Sequence, residues 1–519
     1  MSERQQWKSR SAFIFAAASS AIGLGNIVFF SANAYRYGAG AFYVPYLISL
    51  FVIGLPMMIL EFGLGQKFRG SLPSSLRKVG GRAGETIGWF ALFNALVITM
   101  YYSTLLAWVC GMWWLSLTGT LFTESVAVPA FGLAEGDMPN PQSSFFSLLS
   151  SWGVVIAVVF VWALNFLGLY RGTKSIEAMV RWTFPFVWIA MFAFIILGLS
   201  LEGGVHGAYW LFEPDFQIMR DPKVWNGAAS QIFFSLTLGF GVMTAYSSYA
   251  PKKADHTTNA LIIGTMNCSL ELVAGLGIFS LLFAFSLMPQ ASTLGMTFFV
   301  MPKAISLLPW ATQLVGAAFF TLLLCAGVTS AMSLLEATMA GVNDRFKISR
   351  SKALVVLTAV GFLGSLAFAL PLVVDAQLSS NGTFGLSFLD LMDHYAFAYG
   401  LVIAGFLECI LVGWFLPVGV LREQLNQVSA IRLGPWFDWL IKLFVPGVLG
   451  TLILTTFLRD IGVMGNDGTR EGLRVYGDTM VLDSAGALPW LSPVLWLLFT
   501  VGTALVFANM PRRKEEVAQ

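Results

Sequence analysis

Residues 11–35 carry no charged side chain over a length sufficient to cross a bilayer, and the run is broken at its centre by Ala21-Ile22-Gly23-Leu24-Gly25-Asn26. About 20 helical residues span the hydrocarbon. The two glycines and the asparagine are poor helix formers at the depth where a helix is most needed. Backbone that leaves the helix there must find partners in protein, water or an ion, because lipid offers none. The break therefore reads as a site. Residues 224–251 repeat the pattern, uncharged and interrupted at Ser235-Leu236-Thr237-Leu238-Gly239-Phe240-Gly241. One such break alone is more often a close helix crossing. A matched pair in the two halves of a chain points to a transporter built from inverted repeats, with its solute between the broken helices.

Composition removes the soluble alternatives. Of 519 residues 57% are apolar and 11% charged, and mean hydropathy is +0.74, so the chain reads as a polytopic protein of the lipid bilayer. A net charge of +2, spread over loops, suggests no nucleic-acid partner. No cleavable leader is expected behind Arg4, Lys8 and Arg10, since the apolar run continues past leader length. Cys110, Cys268, Cys325 and Cys409 lie inside apolar runs and read as reduced packing residues. His206, His256 and His394 lack metal-ligand spacing, and no nucleophile constellation suggests an enzyme.

Apolar runs set against charged loops predict twelve spans: 11–35, 40–65, 86–121, 151–170, 178–200, 224–250, 259–288, 308–341, 353–374, 394–419, 434–458 and 485–510. Basic residues collect in alternate loops, among them Lys67, Arg69, Arg77, Lys78, Arg171, Lys174, Lys252, Lys253, Arg345 and Arg350. Loops of that kind stay in the cytoplasm, which places both termini there. The third and eighth spans exceed 30 residues and must tilt or project into water. Stretches 201–223, 289–307, 375–393 and 459–484 read as loops over the outer face. Short tails and loops without cysteine favour a bacterial inner membrane as the plasma membrane concerned.

Ionisable groups within spans are costly and usually functional, which singles out Glu61, Glu271, Glu336 and Glu408. Glu61 is placed to accept N–H groups of an unwound segment. Glu271 follows Asn267 by one turn and shares its face, so a carbonyl oxygen suited to a sodium-sized cation lies beside a titratable charge. Asn267 could equally serve an interhelical hydrogen bond. Thr329 and Ser330 put adjacent hydroxyls in the eighth span. There they either bond the preceding turn or complete an oxygen cage. Tyr102, after Tyr101, brings a phenol to bilayer depth, where it needs a polar partner.

Over nearly its whole length the chain resembles the neurotransmitter:sodium symporter family, the bacterial LeuT-like amino-acid transporters in particular. The resemblance rests on 21–26, Gly38-Ala39-Gly40-Ala41-Phe42, Gln231 to Gly241, and Ala326-Gly327-Val328-Thr329-Ser330. It implies an all-α integral membrane protein with the LeuT fold, a 5+5 inverted repeat with discontinuous first and sixth helices. The chain would then divide into a 1–10 segment, repeats at 11–200 and 224–420, peripheral helices at 434–510 and a tail at 511–519. It implies two Na+ sites. The first would use the Ala21 carbonyl, Asn26, Ser235, Asn267 and the substrate carboxylate. The second would use Ser19, the Ile22 and Ala326 carbonyls, and the Thr329 and Ser330 hydroxyls. Tyr102 and the Gly25 N–H would receive the same carboxylate, and Gly23 stands where monoamine relatives carry aspartate. Ile98, Phe234, Thr237, Phe240, Ser330 and Leu334 would line an apolar subsite, with Phe240 as its lid. Glu271 occupies the place of a serine that, with Tyr46, Gln231 and Ser235, binds chloride in relatives. A fixed carboxylate there implies chloride independence, with Glu271 free to take a proton on the return step.

One departure concerns the outer gate. Where the family reads Trp-Arg-Phe-Pro, this chain has Val28-Phe29-Phe30-Ser31, and Arg36 lies two turns, about 10 Å, further along. Either Asp393 pairs with Arg36, or the outer gate is hydrophobic, or the substrate has changed. The inner gate would be Arg4, Trp7, Tyr249 and Asp344. The expected function is sodium-coupled symport of a small neutral amino acid by alternating access, with a homodimer compatible. The alternatives are a solute sensor or leaky channel on the same fold, or symport of another zwitterion such as a betaine or taurine.

Overall fold

The computed structural model describes residues 5–123, 127–128, 133, 136, 138–213, 216–372, 383–461, 463 and 488–511. Every element that could cross a membrane in this range is a helix, as required where backbone must satisfy itself within its own segment. In chain order these are α1 (Arg10–Ala21 and Gly25–Arg36), α2 (Gly40–Phe68), α3 (Leu72–Thr118), α4 (Gly153–Leu169), α5 (Thr173–Ser200) and α6 (Pro222–Ser235 and Val242–Ser248). Then follow α7 (His256–Ala284), α8 (Thr312–Phe346), α9 (Arg350–Phe368), α10 (Phe384–Phe415), α11 (Trp436–Asp460) and α12 (Leu491–Asn509). Neither half of α6, at 14 and 7 residues, could span alone.

Burial separates core from periphery. The most apolar stretch of α3 is 94% buried within the protein, whereas those of α5 and α12 are 28% buried and those of α9 and α11 33%. Trp182, Ile189 and Ile156 accordingly stand exposed on α5 and α4, where only lipid makes their exposure favourable. By the same measure α2 and α7, at 78% and 67%, stand next to α3 in burial.

Helix ends follow local chemistry. Ser9 and Asp255 accept the N–H groups of Ala12 and Thr258 at 3.1 and 3.0 Å, capping α1 and α7. Gly119, at φ 83°, ends α3 in the left-handed conformation that glycine takes without penalty. α3 starts at Leu72 rather than 86, its first turns separated from the rest by a kink at Gly80 and Gly81. α8 runs for 35 residues, about 50 Å, so it does project beyond the hydrocarbon. Parts of the stretches expected as loops are helical, at Gly204–Phe212 and 293–306. Phe384–Asp393, expected within a loop, is helical as well, while 375–382, most of 459–484 and Arg4 lie outside the described residues.

At the end of the molecule that holds the N-terminal segment, here the basal end, Arg345 of α8 ion-pairs with Glu85 at 3.3 Å and donates to the carbonyls of Phe507 and Met510. The final turn of α12 is thereby tied to α8 and α3.

Candidate functional site

α1 stops because Ile22 turns extended, at φ −77° and ψ 104°, and helix resumes only at Gly25, with the two halves bent by 58°. In α6 the chain leaves the helix after Ser235 and re-enters at Val242. Positive φ at Thr237 (55°), Gly239 (76°) and Gly241 (71°) turns it through the gap. A left-handed threonine costs about 1 kcal/mol, offset here by its hydroxyl donating to the Ser20 carbonyl at 3.2 Å. The two breaks thus hold each other.

Between them lies a cavity of about 40 Å³. Its walls are Ala21, Gly23, Gly25, Asn26, Ile98, Tyr102, Phe234, Ser235, Thr237, Phe240, Ser330 and Leu334. The six residues expected to line the apolar subsite are all in that wall, as are Tyr102 and Gly25. The polar groups gather at the α1 break, where the Tyr102 hydroxyl, expected with the Gly25 N–H to receive the solute carboxylate, accepts the Leu24 N–H at 3.0 Å. Ile98, Phe240 and Leu334 add hydrocarbon to the wall. A β-carbon on Gly23 would lie 2.8 Å from Ser330 Oγ and 2.9 Å from the Tyr102 hydroxyl, and one on Gly25 would lie 2.5 Å from the Phe234 ring. We expect Gly25→Ala to displace that ring and weaken solute binding by about tenfold, the overpacking cost being about 1–3 kcal/mol. Equilibrium binding to the purified protein checks it.

The residues expected at the first cation site converge. Asn26 Nδ2 lies 2.7 Å from Asn267 Oδ1 and 3.0 Å from Ser235 Oγ, and Asn26 Oδ1 accepts the Gly23 N–H at 2.7 Å. At the second, the Thr329 hydroxyl is 2.9 Å from the Ser19 and Ala326 carbonyls. Ser330 Oγ is 2.8 Å from the Ser20 carbonyl and 3.4 Å from that of Ile22. The Ser19 hydroxyl is buried without a hydrogen-bond partner. Oxygen-only donor sets of neutral carbonyls, amides and hydroxyls suit a hard alkali cation, and unwound carbonyls are its usual ligands in such folds.

Glu271 adjoins the first set. Its Oε1 accepts from Ser235 Oγ at 2.6 Å, Gln231 Nε2 at 3.0 Å and Asn26 Nδ2 at 3.1 Å, while Oε2 has no partner. The Tyr46 hydroxyl, named with this group in the sequence, is buried and unbonded. Asn33, which donates to Gln231 at 2.9 Å and so aims it, was not foreseen. Nor was Ser20, whose carbonyl joins α1 to both α6 and α8. Glu61, expected to serve unwound backbone, accepts the Gly239 N–H at 2.8 Å.

Each end of the cavity has a closure. At the basal end Trp7 donates to the Tyr246 carbonyl at 2.8 Å, and Tyr249 donates to Glu336 at 2.9 Å, itself paired with Arg350. Asp344 accepts the Ser71 N–H at 2.7 Å. At the distal end the structure does not join Arg36 to Asp393. Arg36 reaches the Ala291 carbonyl at 3.4 Å, and Asp393 takes the Tyr101 hydroxyl. The rings of Phe29, Phe234 and Phe397 meet there instead. Phe234 and Phe397 are 4.6 Å apart at 84°, Phe29 and Phe234 5.7 Å at 72°, and Phe29 and Phe397 6.1 Å at 90°. Phe234 thus roofs the cavity, while Phe240, expected as lid, is 2% exposed in its wall.

Two interrupted helices around a small polar-ended cavity, closed at both ends by separable contacts, define a secondary transporter of the broken-helix class. Comparison with known proteins gives the family. Residues 4–128 and 146–464 match the Sodium:neurotransmitter symporter family. The chain is 35% identical over 473 residues to an uncharacterized sodium-dependent transporter of Methanocaldococcus jannaschii, covering 87% of this chain and 89% of that one. It is 26% identical over 488 residues to the human sodium- and chloride-dependent taurine transporter, covering 85% and 76%. The crystal structure of MhsT in complex with L-phenylalanine superposes with a TM-score of 0.74 at 26% identity, covering 88% of this chain and all of that one. The chain belongs to the sodium:neurotransmitter symporter family. It is a sodium-dependent, multi-pass membrane symporter of LeuT fold for a small solute, not an enzyme.

Proposed function

We propose that the solute is a small neutral amino acid, carried with two sodium ions and without chloride. The observation that carries this reading is the make-up of the cavity wall: peptide groups, Asn26 and the Tyr102 hydroxyl at the α1 break, with the hydrocarbon of Ile98, Phe240 and Leu334 lining the same cavity. An α-carboxylate at the α1 break meets the start of the second half of that helix, whose dipole favours an anion. It also completes the shell of a sodium ion held by the Ala21 carbonyl, Asn26, Ser235 and Asn267. Ion and solute then bind through direct contact, and each raises the affinity of the other by the same factor. Gly23 leaves room for that carboxylate, where an acidic side chain would repel it. The second sodium, between Ser19, Ile22, Ala326, Thr329 and Ser330, clamps α1 to α8. With the N-terminus cytoplasmic, the Trp7 and Tyr249 contacts form the inner gate and the Phe29, Phe234 and Phe397 rings the outer one.

Sodium-driven uptake into proteoliposomes tests the reading, with neutral amino acids, taurine and a betaine as competitors. Asn26→Ala and Thr329→Ala each remove one ligand from a different sodium site. Losing one charge-assisted contact of about 1.5 kcal/mol, each should raise the sodium concentration for half-maximal uptake by roughly tenfold. Unchanged sodium dependence in both variants, or inhibition by taurine but by no amino acid, rejects the proposal.

A further inference from the structure

Glu61 of α2 and Glu408 of α10 both lie near the α6 break, Glu61 on the Gly239 N–H and Glu408 one turn from the Gly405 contact with Phe233, and neither belongs to the sodium sites. Both are buried, at 0% and 1% exposure. They are close enough to interact electrostatically. Neighbouring contacts fix the arrangement. The Met57 and Cys409 sulfurs are 3.4 Å apart, locking α2 to α10 one turn below Glu61 and next to Glu408. On α10, a β-carbon at Gly405 would strike the Phe233 ring at 2.3 Å, so α10 presses on α6 through the same face that carries Glu408.

Of the four carboxyl oxygens, one accepts the Gly239 N–H at 2.8 Å. The other three, Glu61 Oε2 and both oxygens of Glu408, are buried and accept nothing. Among the described residues no Lys, Arg or His bonds or ion-pairs with either carboxyl. The Cys409 thiol is the further titratable group in electrostatic contact with the pair, and His256, beyond Phe62, makes no bond to it. Two unpaired carboxylates taken out of water would cost several kcal/mol each, with repulsion added. A single proton removes one charge and turns an acceptor into a donor.

We propose that Glu61 and Glu408 form a proton-binding site holding one proton, with Glu408 the neutral acid and its O–H directed at Glu61 Oε2, directly or through one water. Glu61 keeps the negative charge and holds the Gly239 N–H. The proton therefore sits on the hinge that α6 must flex, apart from Glu271 and from both sodium sites.

Infrared difference spectroscopy of the full transporter in lipid tests this. Wild-type protein at neutral pH is expected to show the carbonyl stretch of a buried carboxylic acid, lost in Glu408→Gln and retained in Glu271→Gln, with Glu408→Gln still binding solute. Labelling of wild-type protein by a hydrophobic carbodiimide, which attacks protonated carboxyls, is expected at Glu408 and reads the site without any variant. A band unchanged by Glu408→Gln overturns the proposal. So does the lack of label at 408, or label abolished by sodium or potassium at constant pH, since the last would mean an alkali ion in place of the proton.

Discussion

Glu271→Ser will make uptake depend on chloride. In the wild-type protein three donors, from Asn26, Gln231 and Ser235, converge on one Glu271 oxygen. Serine leaves two of them buried and unpaired, at about 1–3 kcal/mol each, which predicts a fall of uptake in chloride-free buffer of about thirtyfold or more. A chloride ion taken up in place of the carboxylate would restore both the negative charge and the acceptor. Uptake should then rise with external chloride in the variant and stay flat in the wild type. The readout is initial uptake in gluconate against chloride at fixed sodium. A variant indifferent to chloride would show that Glu271 does not stand in for an anion. Gln231 is aimed by Asn33, so Asn33→Ala should reproduce part of the loss while leaving the carboxylate in place.

Phe397→Ala should release bound solute to the outside about thirtyfold faster. The ring meets both Phe29 and Phe234 edge to face, each contact contributing about 0.5–1.5 kcal/mol beyond area burial, and truncation removes both along with part of the roof. A loss of about 2 kcal/mol in closure converts to that factor. Ring contacts are also indifferent to salt, whereas a gate closed by an exposed ion pair weakens as the Debye length shrinks. Wild-type dissociation should therefore hardly change between low and high choline chloride at constant sodium. Strong salt dependence, or a Phe397→Ala rate equal to wild type, would place closure elsewhere.

Much of the site could be read from the chain because charge-free runs and glycines carry the signal that lipid imposes. Gly23, Gly25, Gly239 and Gly241 mark where helix gives way, and the hydroxyls and amides near them mark where oxygen is needed. What escaped the sequence depends on rotation and reach. Phe234 and Phe240 both flank the α6 break, and that Phe234 meets the distal rings of Phe29 and Phe397 depends on long-range packing that no residue count supplies. Asn33 and Phe397 meet their partners across 198 and 163 positions of sequence, through packing alone. The fate of Asp393 had three readings, and the aromatic meeting of Phe29 with Phe397 corresponds to the second. The short helix at Gly204–Phe212 was hidden because its glycines, read locally, signal a turn, while in the fold Gly207 lets backbone approach Phe279 closely.

The grip of Arg345 on the carbonyls of Phe507 and Met510 has a practical side. A fluorescent protein fused directly behind Pro511 would ride on α8 as a rigid pointer, so its orientation would report the tilt of that helix through the transport cycle without a label in the cavity. Cutting the chain back past Met510 would take away one of the two carbonyls held by Arg345 and leave it that of Phe507 and the Glu85 carboxylate.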